Sequence, residues 1–155
     1  MTAMKTDHDQ NFMQAALEEA QKAFEEDEVP VGAVVVAGDR VVGRGRNHKE
    51  ATNDPTAHAE MAAIRQAAEQ LARWRLTDCT LYVTLEPCPM CLGAMLSARI
   101  ARLVFGCADP KAGAAGTLYN LADDSRLNHK IVVEAGVLES QAAELLKTFF
   151  KNRRS

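Results

Sequence analysis

Residues 31–45 read VGAVVVAGDRVVGRG. Two runs rich in β-branched residues flank a Gly38-Asp39 pair, the composition of a two-residue hairpin turn. The stretch predicts two strands, and Val29 before Pro30 favours extended backbone leading into them. Upstream, residues 9–27 predict a helix, with Phe12, Ala16, Ala20 and Ala23 on one face and Glu18, Lys22 and Glu25 elsewhere. Downstream, a second helix is expected to begin near Pro55, with Met61, Ile64, Ala68 and Leu71 at helical spacing. DCTLYVTL (78–85) alternates and carries β-branched residues, so it reads as a strand. A short helix from Pro89 to Ala98, a strand RLVFGC (102–107) and a glycine-rich loop DPKAGAAGT (109–117) follow. A helical turn at 118–122, a strand KIVVE (130–134) and a helix over 139–151 complete the chain. A hairpin followed by β-α-β crossovers implies an α/β protein whose mixed sheet has helices on both faces. In such sheets ligands bind beyond strand ends, near helix N-termini.

A length of 155 residues suits one domain spanning the chain. The hydrophobic share of 47% and charged share of 25% are ordinary for a globular protein. No apolar run approaches a membrane span, and MTAMKTDHDQ at the start has no apolar core of a signal peptide. A cytoplasmic location is expected, where thiols stay reduced and four cysteines serve as ligands, catalysts or core filler. The net charge of −3 argues against a general nucleic-acid coat protein. A local basic end exists in LLKTFFKNRRS (145–155), with Lys147, Lys151, Arg153 and Arg154. Cations there also complement a helix dipole and solubilise a chain end.

Two short motifs carry chemistry: TAHAEM at 56–61 and EPCPMC at 86–91. Pro89 fits the first position of a helix, which makes Cys88 the N-cap and Cys91 the third residue. Those positions bring side chains together, and the positive end of the helix favours thiolate. Asp54 or Thr56 can cap the other helix, which sets His58 and Glu60 near its start. His58, Cys88 and Cys91 form an N/S ligand set suited to Zn²⁺ with a fourth position open for water. Glu60, two residues from a ligand histidine, is placed to handle that water's protons. Other readings remain. A C-x-x-C pair also serves redox chemistry, though it then needs no H-x-E partner. A structural zinc site would close with Cys79 or Cys107; Cys79 reads as core in an alternating strand, whereas Cys107 ends a strand. His8, His48 and His129 lack partners at ligand spacing.

H-x-E followed by P-C-x-x-C is the signature of zinc nucleobase deaminases. The stretches EVPVGAVVV, GRGRN, DPTAHAEM, TLYVTLEPCPMC, VFGCADPKAGAAGTL, NHK and FFKNRR resemble the bacterial tRNA-specific adenosine deaminases of the cytidine deaminase-like superfamily over nearly the whole chain. The resemblance implies a three-layer α/β/α fold with a five-stranded sheet, a homodimer and one Zn²⁺ per subunit. It implies that the wobble adenosine of a tRNA anticodon stem-loop is flipped out and deaminated to inosine. His58, Cys88 and Cys91 would then hold the metal and Glu60 would shuttle protons. Asn47 would hold the base edge, Val31 would line the pocket, and Asp109 would border the ribose. Phe149, Phe150, Arg153 and Arg154 would touch the stem-loop. From the residues alone, Asn47 also reads as a strand-end turn residue, Val31 as core, Asp109 as a turn starter before Pro110, and the phenylalanines as core with at least one on the surface. A small-molecule nucleobase or nucleoside deaminase shares this metal site, and a non-catalytic zinc module shares its ligands without needing Glu60.

Overall fold

A computed structural model describes residues 2–154, with side chains from residue 7 to residue 153. Helix α1 (Thr2–Glu25) precedes the hairpin of β1 (Gly32–Ala37) and β2 (Arg40–Arg46). A one-turn helix α2 (Lys49–Thr52), α3 (Ala59–Leu71), β3 (Cys79–Leu85), α4 (Pro89–Ala98) and β4 (Arg102–Cys107) follow. A 3₁₀ turn (Leu121–Asp123), β5 (Val132–Ala135) and α5 (Glu139–Arg154) end the fold.

The hairpin is as the sequence predicts. Ala37 pairs with Arg40 around a two-residue loop, and Gly38 takes a positive φ of 63°, which a residue without Cβ adopts at no steric cost. The sheet runs β2-β1-β3-β4-β5. Both pairings of β1 are antiparallel, and those of β3 with β4 and β4 with β5 are parallel. This is the mixed five-stranded sheet of the expected α/β class.

Strand alternation divides the core into two layers. Ala33, Val35, Leu81, Val83, Leu103 and Phe105 face α3 and α4, packing on Ala59, Ala63, Ala67, Leu92 and Met95. Val34, Val36, Tyr82 and Val104 face α1, against Met13 and Ala16. On that same side Asp9, 6% exposed, accepts hydrogen bonds from Tyr82 Oη (2.7 Å) and from both Arg102 guanidinium ends (2.9 and 2.7 Å). α1 thereby bonds to β3 and β4 through a polar network under its N-terminal half.

α3 differs in detail from the sequence reading. Pro55 lies in the preceding loop, and the N-cap is His58 rather than Asp54 or Thr56. Asp54 Oδ1 instead accepts the Thr56 N–H and hydroxyl, both at 2.8 Å, in a local turn. The buried face is Ala59, Ala63 and Ala67, while Met61, Ile64, Ala68 and Leu71 are half-buried. β2 explains the shift. A Cβ at Gly45 would lie 2.2 Å from the Ala59 carbonyl oxygen, and one at Gly43 2.2 Å from that of Ala63. Helix and strand meet backbone to backbone, and only alanine fits the contact.

The smaller differences are at ends. α1 starts at Thr2 instead of residue 9 and stops at Glu25. The helical turn falls at Leu121–Asp123, and β5 spans Val132–Ala135 as a largely exposed edge. No helix among the described residues is long and apolar enough to cross a membrane.

Candidate metal centre and active site

Two helix starts converge at the C-terminal edge of the sheet. Cys88 is the N-cap of α4 in extended backbone, Pro89 occupies the first turn and Cys91 is the third helical residue. His58 is the extended N-cap of α3. The His58 imidazole Nδ1 lies 3.7 Å from Cys88 Sγ and 3.4 Å from Cys91 Sγ. All three ligand atoms lie within 4.8 Å of one another. A tetrahedral centre with bonds of about 2.3 Å to sulfur and 2.05 Å to nitrogen separates those atoms by about 3.6 Å. The spacing and the N/S₂ donor set therefore fit a divalent metal ion.

The cluster excludes the other two thiols. Cys79 is fully buried in the α3/α4 layer. Cys107 packs with Leu17 and Ala142, and its thiol donates to the Thr84 carbonyl at 3.6 Å. Among the described residues, the group that could hold a metal is His58, Cys88 and Cys91.

Electrostatics within the corner are uneven. The hydrogen bond from Cys91, then that from His58, pulls the Cys88 thiol down to about 4 against the opposing effect of burial. The same Cys88 contact, with burial and the Glu60 charge, pushes Cys91 upward. His58 is raised chiefly by its bond to Cys88. Glu60, 4% exposed at the second position of α3, is pushed up to about 7, chiefly by burial. A buried carboxyl with a raised pKa next to three ligand atoms can hold or release a proton near neutrality.

Asn47 follows β2 and turns its Oδ1 to the Ala59 N–H at 2.9 Å, so it caps α3 from outside. Its own N–H donates to the carbonyl of Val31 at 3.2 Å. Val31 is 4% exposed and belongs to the core. Glu28 and Glu86 are two of the buried carboxylates that escaped the sequence reading. Glu28 accepts the Glu50 and Ala51 N–H groups at 3.1 and 2.8 Å, fixing α2 beside Asn47. Glu86, one residue past β3, accepts bonds from the loop after β4. Burial alone would raise its pKa; the bonds from Thr117, Asp109 and Ala115 outweigh it and hold the carboxyl below the usual range. A charged residue closing an apolar strand was the available signal. Asp109 Oδ1 is occupied by the Lys111 and Ala112 N–H groups at 3.0 and 3.3 Å, as its reading as a turn starter requires.

Adjacent phenylalanines on α5 divide between core and surface. Phe149 is buried edge-on to Phe24 at 5.9 Å, and Phe150 is 44% exposed. Arg153 lies over the Phe149 ring at 4.6 Å. It also donates to the Asp27 carbonyl and pairs with the Asp27 carboxylate at 2.9 Å. Its charge is thus engaged with the end of α1. The Arg154 side chain lies outside the described residues. Asn47, Lys49, Phe149, Phe150 and Arg153 share a cavity of about 210 Å³, which Asp109 does not line.

The MafB19-like deaminase family matches residues 6–154. The tRNA-specific adenosine deaminase of Bacillus subtilis is 47% identical over 146 residues, 94% of this chain and 91% of that protein. That of Haemophilus influenzae is 47% identical over 152 residues, 97% of this chain and 88% of the other. A chain solved in structural studies of A-to-I editing by tRNA:A34 deaminases at the wobble position is 48% identical, with a TM-score of 0.84. The match covers 88% of this chain and 99% of that one.

Proposed function

Because the chain belongs to the MafB19-like deaminases and, among them, to the tRNA-specific adenosine deaminases, we propose that it hydrolyses the wobble adenosine of a tRNA anticodon loop to inosine. Water enters at C6 of the purine and ammonia leaves, so adenosine and water become inosine and ammonia. The observation that carries this reading is the corner where His58, Cys88 and Cys91 meet beside the buried Glu60.

His58, Cys88 and Cys91 would hold one Zn²⁺ per chain, which would supply the Lewis acidity that makes a water reactive at neutral pH. Glu60 takes up the water's proton and returns it to ring N1. It then takes the proton of the hydroxyl added at C6 and delivers it to the departing amino nitrogen, so the C6 carbonyl of inosine forms as ammonia leaves. Being walled in, Glu60 exchanges protons with the reacting atoms in preference to bulk solvent. Asn47 keeps its Oδ1 on α3 and has its amide N–H₂ left to donate to the base edge. Val31 would back the pocket from the core, and the carboxylate of Asp109 would border the ribose. Phe149 supports the exposed Phe150, which offers a face to an unstacked base, and Lys49 and Arg153 beside it would meet phosphates from a cavity that Asp27, Glu28 and Glu50 also line. Arg153 must exchange its Asp27 partner for a phosphate to take part. A homodimer acting in the cytoplasm completes the proposal and comes from the family resemblance.

The test is incubation of purified protein with total tRNA, followed by sequencing for inosine, with free adenosine, cytidine and guanine assayed in parallel. Inosine at the wobble position with slow turnover of the free compounds is expected. Efficient turnover of a free compound without tRNA conversion would establish a small-molecule deaminase instead.

A further inference from the structure

The segments leaving the C-terminal ends of β3 and β4 stand side by side. One leads directly into Cys88; the other is the loop over 109–117. In an open α/β sheet, ligands bind outside the carboxyl ends of the strands. Glu86 lies between them, 2% exposed. Its Oε1 accepts the Asp109 N–H at 3.0 Å and the Thr117 hydroxyl. Its Oε2 accepts the Ala115 and Thr117 N–H groups at 3.0 and 3.1 Å. All four donors belong to the loop. The next residue, Pro87, adds a fifth tie through its carbonyl, which accepts the Ala114 N–H at 2.9 Å.

The fit is specific to a carboxylate. A buried carboxylate is costly unless its acceptor sites are filled, and here one segment fills both oxygens. Glutamine has one acceptor oxygen, so either orientation of its amide turns N–H₂ toward two of these donors. The backbone has closed on the group as well: a Cβ at Gly113 would lie 2.4 Å from Glu86 Oε1 and 2.6 Å from the Asp109 carbonyl oxygen.

We propose that Glu86 is a positioning residue that clamps the 109–117 loop against the Cys88 segment, so that the nucleotide undergoing deamination meets a preformed wall. The proposal rests on the deaminase reading. Its cost, when lost, falls on binding, because a loop ordered in advance spares the ordering entropy that binding would otherwise supply.

Glu86→Gln and the milder Thr117→Val test it with three measurements. These are amide exchange by NMR, zinc content, and steady-state kinetics with direct binding of an anticodon stem-loop RNA bearing adenosine at the wobble position. In Glu86→Gln the Asp109, Ala115 and Thr117 amides should exchange about tenfold faster or more, with one zinc per chain retained. KM and Kd for the stem-loop should rise about tenfold while kcat changes by less than about threefold. Thr117→Val should shift the same quantities less, and in the Glu86→Gln background it should add less than it does alone. Unchanged exchange and unchanged KM in Glu86→Gln would overturn the proposal. So would loss of zinc with the loop amides still protected, which would assign Glu86 to the metal. If Glu86→Gln does not fold, Thr117→Val decides alone, and no change there overturns the proposal. If the wild-type protein forms no inosine, the deaminase reading fails separately, and amide exchange with stem-loop affinity still decides the role of Glu86.

Discussion

α3 and α4 begin in the same frame and are completed differently. Each has a candidate ligand as its N-cap, His58 or Cys88, and neither N-cap side chain makes a capping bond. A helix start leaves N–H groups without intrahelical partners, and a cap turned toward a metal leaves them so. At α3 the vacant duty passes to Asn47, which accepts the Ala59 N–H from the end of β2. At α4 the first helical residue is Pro89, which has no N–H to satisfy. The second residue separates the two further: Glu60 is 4% exposed, and Met90 is 36% exposed. Ligand duty can be placed on a helix start once another residue assumes the capping. Acid–base duty also needs walls, and one of the two starts has them.

The hardest blow to this comparison comes from the second residue of each helix. Glu60→Ala should lower single-turnover deamination by about 10²–10⁴-fold or more while metal analysis still finds one zinc per chain. Met90→Ala should leave both near wild-type values. Comparable rate losses in the two variants would remove the distinction between the starts.

The N-caps should behave alike where the second residues do not. His58→Ala and Cys88→Ser should each abolish stoichiometric zinc. Each should lower stability by the linkage energy of the lost metal, about 4 kcal/mol when free zinc is a thousand times Kd. A chelator should bring wild-type protein to the same melting temperature. Zinc retained by one variant alone would show that the helices contribute unequally.

Glycines sharpen the contrast on the packing side. Gly45→Ala drives a methyl into the Ala59 carbonyl under α3 and should destabilise by about 1–3 kcal/mol in denaturant melts. Gly93 lies within α4 with nothing near its absent Cβ. Gly93→Ala should stabilise by about 0.5–1 kcal/mol. The caps come next in size. Asn47→Ala should cost about 1 kcal/mol, or about 2–4 °C in melting temperature, and Pro89→Ala less.

The smallest effect separates the metal corner from the opposite face of the sheet. Burial would raise the Asp9 carboxyl, but hydrogen bonds from Arg102 and Tyr82 outweigh it and hold its pKa below the ordinary value. The contribution of Asp9 is therefore fully present above the unfolded carboxylate pKa of about 3.9 and fades as pH falls through the lower folded value. Asp9→Asn should flatten the acid limb of a stability curve below about pH 4, measured on zinc-free protein so that protonation of the ligands does not contribute.

Local chemistry made much of the molecule legible. The hairpin, the Cys88 cap and each of the motifs H-x-E and C-x-x-C follow from residues a few positions apart. Features that depend on distant partners were not legible. Asp54 and Pro55 look like a helix start, yet they build a turn because His58 assumes the N-cap position. The spacing of Met61, Ile64, Ala68 and Leu71 is a helical stripe, but glycines of β2 select the alanine stripe beside it. Arg153 reads as a free cation until Asp27, 126 positions earlier, is found against it. Glu86 opens the EPCPMC stretch with no role of its own until its loop, more than twenty residues on, closes over it.

The contact of α3 with β2 has a mechanical consequence. Between most helices and a sheet lie long side chains that yield by changing rotamer. Here the strand's Gly43 and Gly45 meet the backbone of Ala59 and Ala63 with no compressible layer between them. His58 and Glu60 thus ride on a stiff mount, braced by the same strand that sends Asn47 to the helix start. When a substrate nucleotide enters the crevice, the reacting groups stay where the sheet holds them.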